Sequence, residues 1–80
     1  MEFSIKANSE TKKKIMQAIA MSSQGYFATN FANQDFVRLP HSNAYGYGRT
    51  YWASHVGDVT VLVWERGEDV TDWRVQFQCW

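Results

Sequence analysis

Alternating apolar and polar residues dominate the C-terminal part of the chain and predict three consecutive strands. Tyr51–Val56 and Val59–Trp64 are rich in β-branched and aromatic residues, and Gly57-Asp58 between them is typical of a two-residue hairpin turn. After a polar segment the alternation resumes at Val70 and continues to the end of the chain. The pattern therefore predicts two successive antiparallel hairpins.

The two-residue turn also predicts the register of the hairpin, and the register divides the strand side chains between two faces. One face carries Val61, Val63, Trp73, Val75 and Phe77. The opposite face carries Tyr51, Leu62, Trp64, Arg74 and Trp80. A shift of one residue would exchange the two sets, so every assignment to a face depends on this turn.

One amphipathic helix is predicted over about residues 9–23. Asn8 and Ser9 are N-cap residue types, apolar residues from Ile15 onwards recur at helical spacing, and the segment contains neither glycine nor proline. Gly25 is expected to end the helix in the left-handed conformation. The apolar side of this helix must be buried, and the sheet face with Val61 and its neighbours is the surface that fits.

Shorter segments complete the predicted fold. Residues 3–7 alternate as a first strand with Phe3, Ile5 and Ala7 on its buried face, and Asp35–Leu39 reads as another strand, ended by Pro40. Residues 26–34 fit either a short strand or a helical turn followed by a turn at residues 33–34. We therefore expect a single α+β domain over residues 1–80. Its helix would pack on a mostly antiparallel sheet of four or five strands, in the order β-α-(β)-β-β-β.

Composition narrows the functional classes. The 80 residues carry zero net charge, whereas free-standing nucleic-acid-binding proteins normally have a basic excess. The single cysteine, Cys79, excludes an intrachain disulfide and favours a reducing, cytoplasmic compartment. No segment has the apolar length of a membrane span or the pattern of a signal peptide. No motif for a cofactor, metal or catalytic nucleophile is present, so we expect neither cofactor nor metal.

The sheet face away from the helix is the candidate interaction surface. Large aromatic residues and an arginine have the composition of a binding hot spot. The candidate partner-binding residues are Tyr51, Leu62, Trp64, Arg74 and Trp80, with Tyr45 and Tyr47 in the glycine-containing segment before them. The alternative is that loops, or residues 26–31, cover this face as a second small core.

Acidic residues cluster around the second predicted turn. They are Glu65, Glu68, Asp69 and Asp72, and they could steer a charged partner towards the sheet. The ordinary alternative is that they keep the turn soluble and pair with Arg66 and Arg74.

An enzyme is the minority interpretation. His41, Tyr45 and Arg49 lie close in sequence and could serve a small metal-free ribonuclease, which needs a base, an acid and a cation around one phosphate. His55, opposite Thr60, fits an ordinary strand position. We therefore expect a protein without enzymatic activity.

A short, neutral, aromatic-rich and cysteine-poor domain without a catalytic motif is similar in kind to small phage proteins that block host defence complexes. Anti-CRISPR proteins are among them. The resemblance implies an inhibitor that occludes a surface of a nucleic-acid-targeting complex, and its partner would be another protein. Two alternatives stay open: single-stranded nucleic-acid binding on the sheet-face aromatics, and self-association as a homodimer.

Overall fold

The structure, a computed structural model, describes residues 5–39 and 50–79 of the chain. Within these ranges it contains five strands, two α-helices and two 3₁₀ helices. The strands are β1 (Ile5–Lys6), β2 (Val37–Arg38), β3 (Tyr51–Val56), β4 (Val59–Trp64) and β5 (Arg74–Cys79). The helices are α1 (Ser9–Ala20) and α2 (Ala28–Phe31), and the 3₁₀ helices are Gly25–Phe27 and Val70–Asp72. The predicted α+β class, antiparallel sheet and element order are confirmed.

The five strands form one antiparallel sheet in chain order, β1-β2-β3-β4-β5. The predicted hairpin register is confirmed: Val56 lies opposite Val59, and Tyr51 lies opposite Trp64. Gly57 has a φ of 60°, which puts the positive φ at the first central position of the turn. Turns of this kind match the right-handed twist of the strands they join.

Helix α1 begins as the sequence predicts. The Asn8 side chain accepts a hydrogen bond of 2.8 Å from the Thr11 backbone N–H, which satisfies one of the free donors of the first turn. Ile15, Ala18 and Ile19 are buried beneath the helix. Because α1 packs against β4 and β5, these residues cover the Val61 side of the sheet, as predicted.

The end of α1 differs from the prediction. The helix stops at Ala20 rather than Ser23, because the Ser22 hydroxyl and backbone N–H both donate to the Ile19 carbonyl, at 2.7 and 3.0 Å. The expectation that Gly25 ends the helix in the left-handed conformation is also wrong. Gly25 lies in a 3₁₀ helix, and Gly57 is the glycine with positive φ in the described residues.

The segment that the sequence left open, residues 26–34, is helical and contributes to the core. It forms a 3₁₀ helix and then α2, which packs against β3, and it ends in a turn over residues 32–34. Phe31 in α2 is fully buried. Its ring centroid lies 6.3 Å from that of Phe36 and 6.2 Å from that of Phe77. The predicted single helix is therefore joined by a second, shorter one.

The core lies between the helical layer and one sheet face. Its fully buried members are Ile15, Ile19, Phe31, Phe36, Val61 and Val63. Trp73 is buried with them, and Val75 and Phe77 are partly buried against them. Of the three residues predicted to be buried in the first strand, Ala7 is buried, Phe3 lies outside the described residues, and Ile5 differs from the prediction. It is 48% exposed, because β1 lies at the sheet edge opposite the strands that α1 covers.

Candidate functional site

The sheet face away from α1 presents a row of three candidate residues. The register places Tyr51 of β3 opposite Trp64 of β4, and Trp64 opposite Arg74 of β5. The Tyr51 and Trp64 rings stack with centroids 5.7 Å apart and planes inclined by 17°. Cross-strand aromatic pairs of this kind stabilise a sheet and also form a flat apolar platform.

Leu62, another candidate partner-binding residue, lies in the next row of the same face. It is only 4% exposed, and Thr60, one row further, is 6% exposed. Tyr51 and Arg74 are diagonal neighbours of Leu62 on the two flanking strands, and side chains of this length reach across such a diagonal. Leu62 therefore contributes little exposed surface of its own to this face.

Arg66 completes the site, and the sequence interpretation had assigned it elsewhere. Its guanidinium carbon lies 5.2 Å from the centroid of the Trp64 ring, which is the geometry of a cation–π contact. The alternative interpretation, in which Arg66 and Arg74 pair with the acidic residues of the turn, is not found in the described residues. Of the described residues, Lys6 and Asp35 form the ion pair within 4.0 Å, and neither Arg66 nor Arg74 takes part in one. The sequence does contain a signal for the placement of Arg66. Arg66 lies two residues after Trp64, and alternate residues of an extended segment share a face.

These side chains surround a groove of about 450 Å³, which we call the aromatic–arginine groove. It is lined by Tyr51, Leu62, Trp64, Arg66, Arg74, Val75 and Gln76. Two of these residues are cationic and none is acidic, although the chain as a whole has zero net charge. The groove is therefore a local positive site with an aromatic wall.

A second groove of about 490 Å³ adjoins the first and shares Arg66 and Arg74 with it. Its other lining residues are Thr71, Asp72 and Trp73, so its wall is polar where the first is aromatic. The two arginines thus stand between an aromatic surface and a polar one.

The four acidic residues proposed for steering have different surroundings. Glu65 accepts a hydrogen bond of 2.7 Å from Trp52 Nε1. Asp69 caps the second 3₁₀ helix by accepting one of 3.1 Å from the Thr71 N–H. Glu68 is exposed, and Asp72 is exposed beside the polar groove. Two of the four therefore make local hydrogen bonds, and three of the four, Glu68, Asp69 and Asp72, are exposed.

Of the remaining candidate residues, only His55 lies in the part of the chain that the structure describes. Tyr45, Tyr47 and Trp80, proposed for partner binding, lie outside the described residues, as do His41 and Arg49 of the ribonuclease hypothesis. His55 Nδ1 and Thr60 Oγ1 are joined by a hydrogen bond of 2.6 Å, in agreement with the ordinary strand role.

Two features are absent from the described residues. No group of three or more His, Cys, Asp or Glu side chains there could hold a metal ion. No described helix has both the length and the apolar character that crossing a membrane requires.

Comparison of the chain with family models, curated proteins and solved structures found no match.

Proposed function

We propose that this protein is a non-enzymatic binding module that engages another protein through the aromatic–arginine groove. The observation that carries the proposal is the stacked Tyr51–Trp64 pair, with Arg66 over Trp64 and Arg74 beside it. Trp, Tyr and Arg are the residues most enriched at binding hot spots, because they combine large contact area with directional polar groups.

Preorganisation supports this use of the groove. The two rings are already stacked and Arg66 is already placed on one of them, so binding would order few side chains. Ordering a long side chain at an interface costs about 0.5–1.5 kcal/mol. A partner segment with an apolar side chain and a carboxylate would place the first on the rings and the second between the arginines.

The likeness in size and composition to small phage proteins supports a proposal for the kind of activity. We propose an inhibitor of phage or mobile-element type that acts by occluding a surface, in the manner of anti-CRISPR proteins. Its target would be a nucleic-acid-targeting defence complex in the cytoplasm. The exposed thiol of Cys79 fits a reducing compartment. The exposed carboxylates Glu68 and Asp72 fit a partner whose own surface is basic around the point of contact.

The test is affinity capture from the native host followed by calorimetry with the captured partner. Arg66→Gln combined with Arg74→Gln should weaken binding at least about tenfold, as should Trp64→Ala, while far-UV circular dichroism stays native. The matched control is Arg38→Gln, which removes an exposed strand arginine outside the groove and should bind as wild type. Equal affinity of all variants would refute the proposed site.

Single-stranded nucleic acid is the second candidate ligand, and one observation favours it. Stacked aromatic rings with an adjacent arginine form the kind of platform on which bases stack and phosphates are neutralised. This candidate predicts a band shift with a single-stranded oligonucleotide at low salt that fades steeply as salt is raised. No shift at low salt would eliminate it and leave the protein partner.

A further inference from the structure

The last strand, β5, forms a long free edge of the sheet. In the described part of the chain β5 pairs with β4 alone, and no element lies beyond it in the strand order. The other edge strand, β1, has only two residues, whereas β5 has six. Long edges offer a row of backbone donors and acceptors to any extended chain, and proteins commonly blunt them.

The register shows which backbone groups face outward. A two-residue turn makes Val56 and Val59 a hydrogen-bonded pair, and such pairs alternate along an antiparallel ladder. Val59, Val61 and Val63 of β4 thus bond to β3, and the residues between them bond to β5. On β5 the N–H and C=O groups of Val75, Phe77 and Cys79 therefore point away from the sheet.

The usual protective features are missing from β5. Its register with β4 is continuous over six residue pairs, so it contains no bulge. It contains no proline, glycine or lysine, and its one charged residue, Arg74, stands at the first position. Within the described residues, no further strand pairs with these outward backbone groups.

Exposed apolar side chains border this edge on the helix side. The ring centroids of Tyr26 and Phe27 are 4.6 Å apart, and the Phe27 ring stacks on the ring of Phe77 in β5 with centroids 4.9 Å apart. Tyr26 is 72% exposed and Met21 is 55% exposed, and Met21 lines a groove of about 410 Å³ together with Val75. A strand added at β5 would gain apolar contact here as well as backbone hydrogen bonds.

We propose that β5 pairs antiparallel with β5 of a second copy of this chain, with the two Phe77 residues opposite each other. In this register Val75 of each strand lies opposite Cys79 of the other. All three outward-facing residues of each strand are therefore paired. A two-fold axis relates the strands, and the interface is self-complementary.

Charge is what favours a second copy as the occupant. The chain has zero net charge, and five of the six residues of β5 are uncharged. The two Arg74 residues would stand six positions apart along the paired strands, or about 20 Å, so they would not repel at physiological salt. The two-fold axis would also bring both aromatic–arginine grooves to the same face of one continuous sheet, a bivalent surface that goes beyond the proposed function.

Sedimentation velocity over a concentration series tests the dimer with a matched pair of variants. Cys79→Pro removes an outward N–H without touching the pairs with β4, whereas Cys79→Val keeps that N–H. We expect wild type and Cys79→Val to dimerise equally, and Cys79→Pro to raise the dissociation constant about tenfold or more. A wild-type chain that stays monomeric at every concentration overturns the proposal.

Disulfide trapping tests the register. Val75→Cys would place the new thiol opposite the second copy's Cys79, about 5.5 Å away between Cα atoms, which is within disulfide range. Mild oxidation should then give a covalent dimer. Gln76→Cys, on the opposite face of the strand, is the control and should stay monomeric under denaturing conditions. Equal trapping of both variants, or of neither, overturns the register.

A third measurement uses the unmodified chain and so does not depend on whether a variant folds. Amide hydrogen exchange at Val75, Phe77 and Cys79 should slow as concentration rises, while the neighbouring Gln76 and Gln78 amides, already bonded to β4, should change little. Concentration-independent exchange at the three outward amides would contradict the dimer. Neither result bears on partner binding at the groove, so the two proposals can fail separately.

Discussion

At the scale of single residues, environment rather than residue type decides the role of each charged side chain. Glu65 and Glu68 are three positions apart, yet Glu65 accepts the indole hydrogen bond of buried Trp52 and Glu68 is exposed. Arg66 between them lies on the Trp64 ring. The sequence grouped all of these residues as one charged turn, because spacing along the chain does not say which side chains reach a partner.

We predict that Glu65→Ala lowers the free energy of unfolding by about 1–3 kcal/mol, because it leaves the Trp52 indole N–H without its acceptor. Glu68→Ala removes the same charge at an exposed position and should change stability by no more than about 0.5 kcal/mol. Urea denaturation followed by tryptophan fluorescence measures both. If the two variants were equally stable, the hydrogen bond would have no structural role.

At the scale of elements, the connection between α1 and the following 3₁₀ helix depends on a close approach of Gly25 to the end of α1. A Cβ atom on Gly25 would collide with the carbonyl oxygen of Ala20, the last residue of α1. The glycine is thus needed because the chain folds back tightly against the end of the helix. This approach brings Phe27 onto Phe77 and Phe31 into the core, so it links the helical layer to β5.

Gly25→Ala should therefore lower the free energy of unfolding by about 1–3 kcal/mol, the usual cost of forcing an extra carbon into a packed site. Gly67→Ala is the control. A Cβ atom at position 67 would lie 3.4 Å from Asp72 Oδ2, which is an ordinary contact. The free energy of unfolding of Gly67→Ala should therefore stay within about 0.5 kcal/mol of the wild-type value. Thermal and urea denaturation of both variants measure the difference. A stable Gly25→Ala variant would show that the join can relax.

At the scale of the whole molecule, the small domain obtains its core by covering one sheet face with two helices of unequal length. α1 covers β4 and β5, and α2 packs against β3 with Phe31 fully buried. One helix alone would leave the β3 side of this face exposed. The short helix is therefore a structural part of the core, although nothing in its four residues would make it stable alone.

Phe31→Ala should lower the free energy of unfolding by about 3–5 kcal/mol, because it removes a buried aromatic ring and leaves a cavity. Tyr26→Ala, an aromatic truncation at a 72% exposed position nearby, should cost no more than about 0.5 kcal/mol in dilute, monomeric protein. Chemical denaturation of both variants provides the measurement. Similar losses for the two would mean that the short helix does not anchor the core.

Local sequence signals are sufficient to predict the hairpin register, the two faces of the sheet and the start of α1. These features depend on local signals: a two-residue turn with glycine first, strict alternation, and an asparagine at the N-cap. Tyr51, Trp64 and Arg74 were placed on one face for the same reason.

Other features depend on contacts between segments that are distant in the sequence, and they could not be predicted from local patterns. Residues 26–34 are helical, with Phe31 fully buried in the core, and Leu62 is only 4% exposed, although alternation along β4 predicts its face and not its burial. The place of Arg66 on Trp64, rather than on a carboxylate, was likewise decided by proximity in space. Alternation along a strand tells which face a side chain takes, whereas its burial and its partner depend on what the rest of the chain brings to that face.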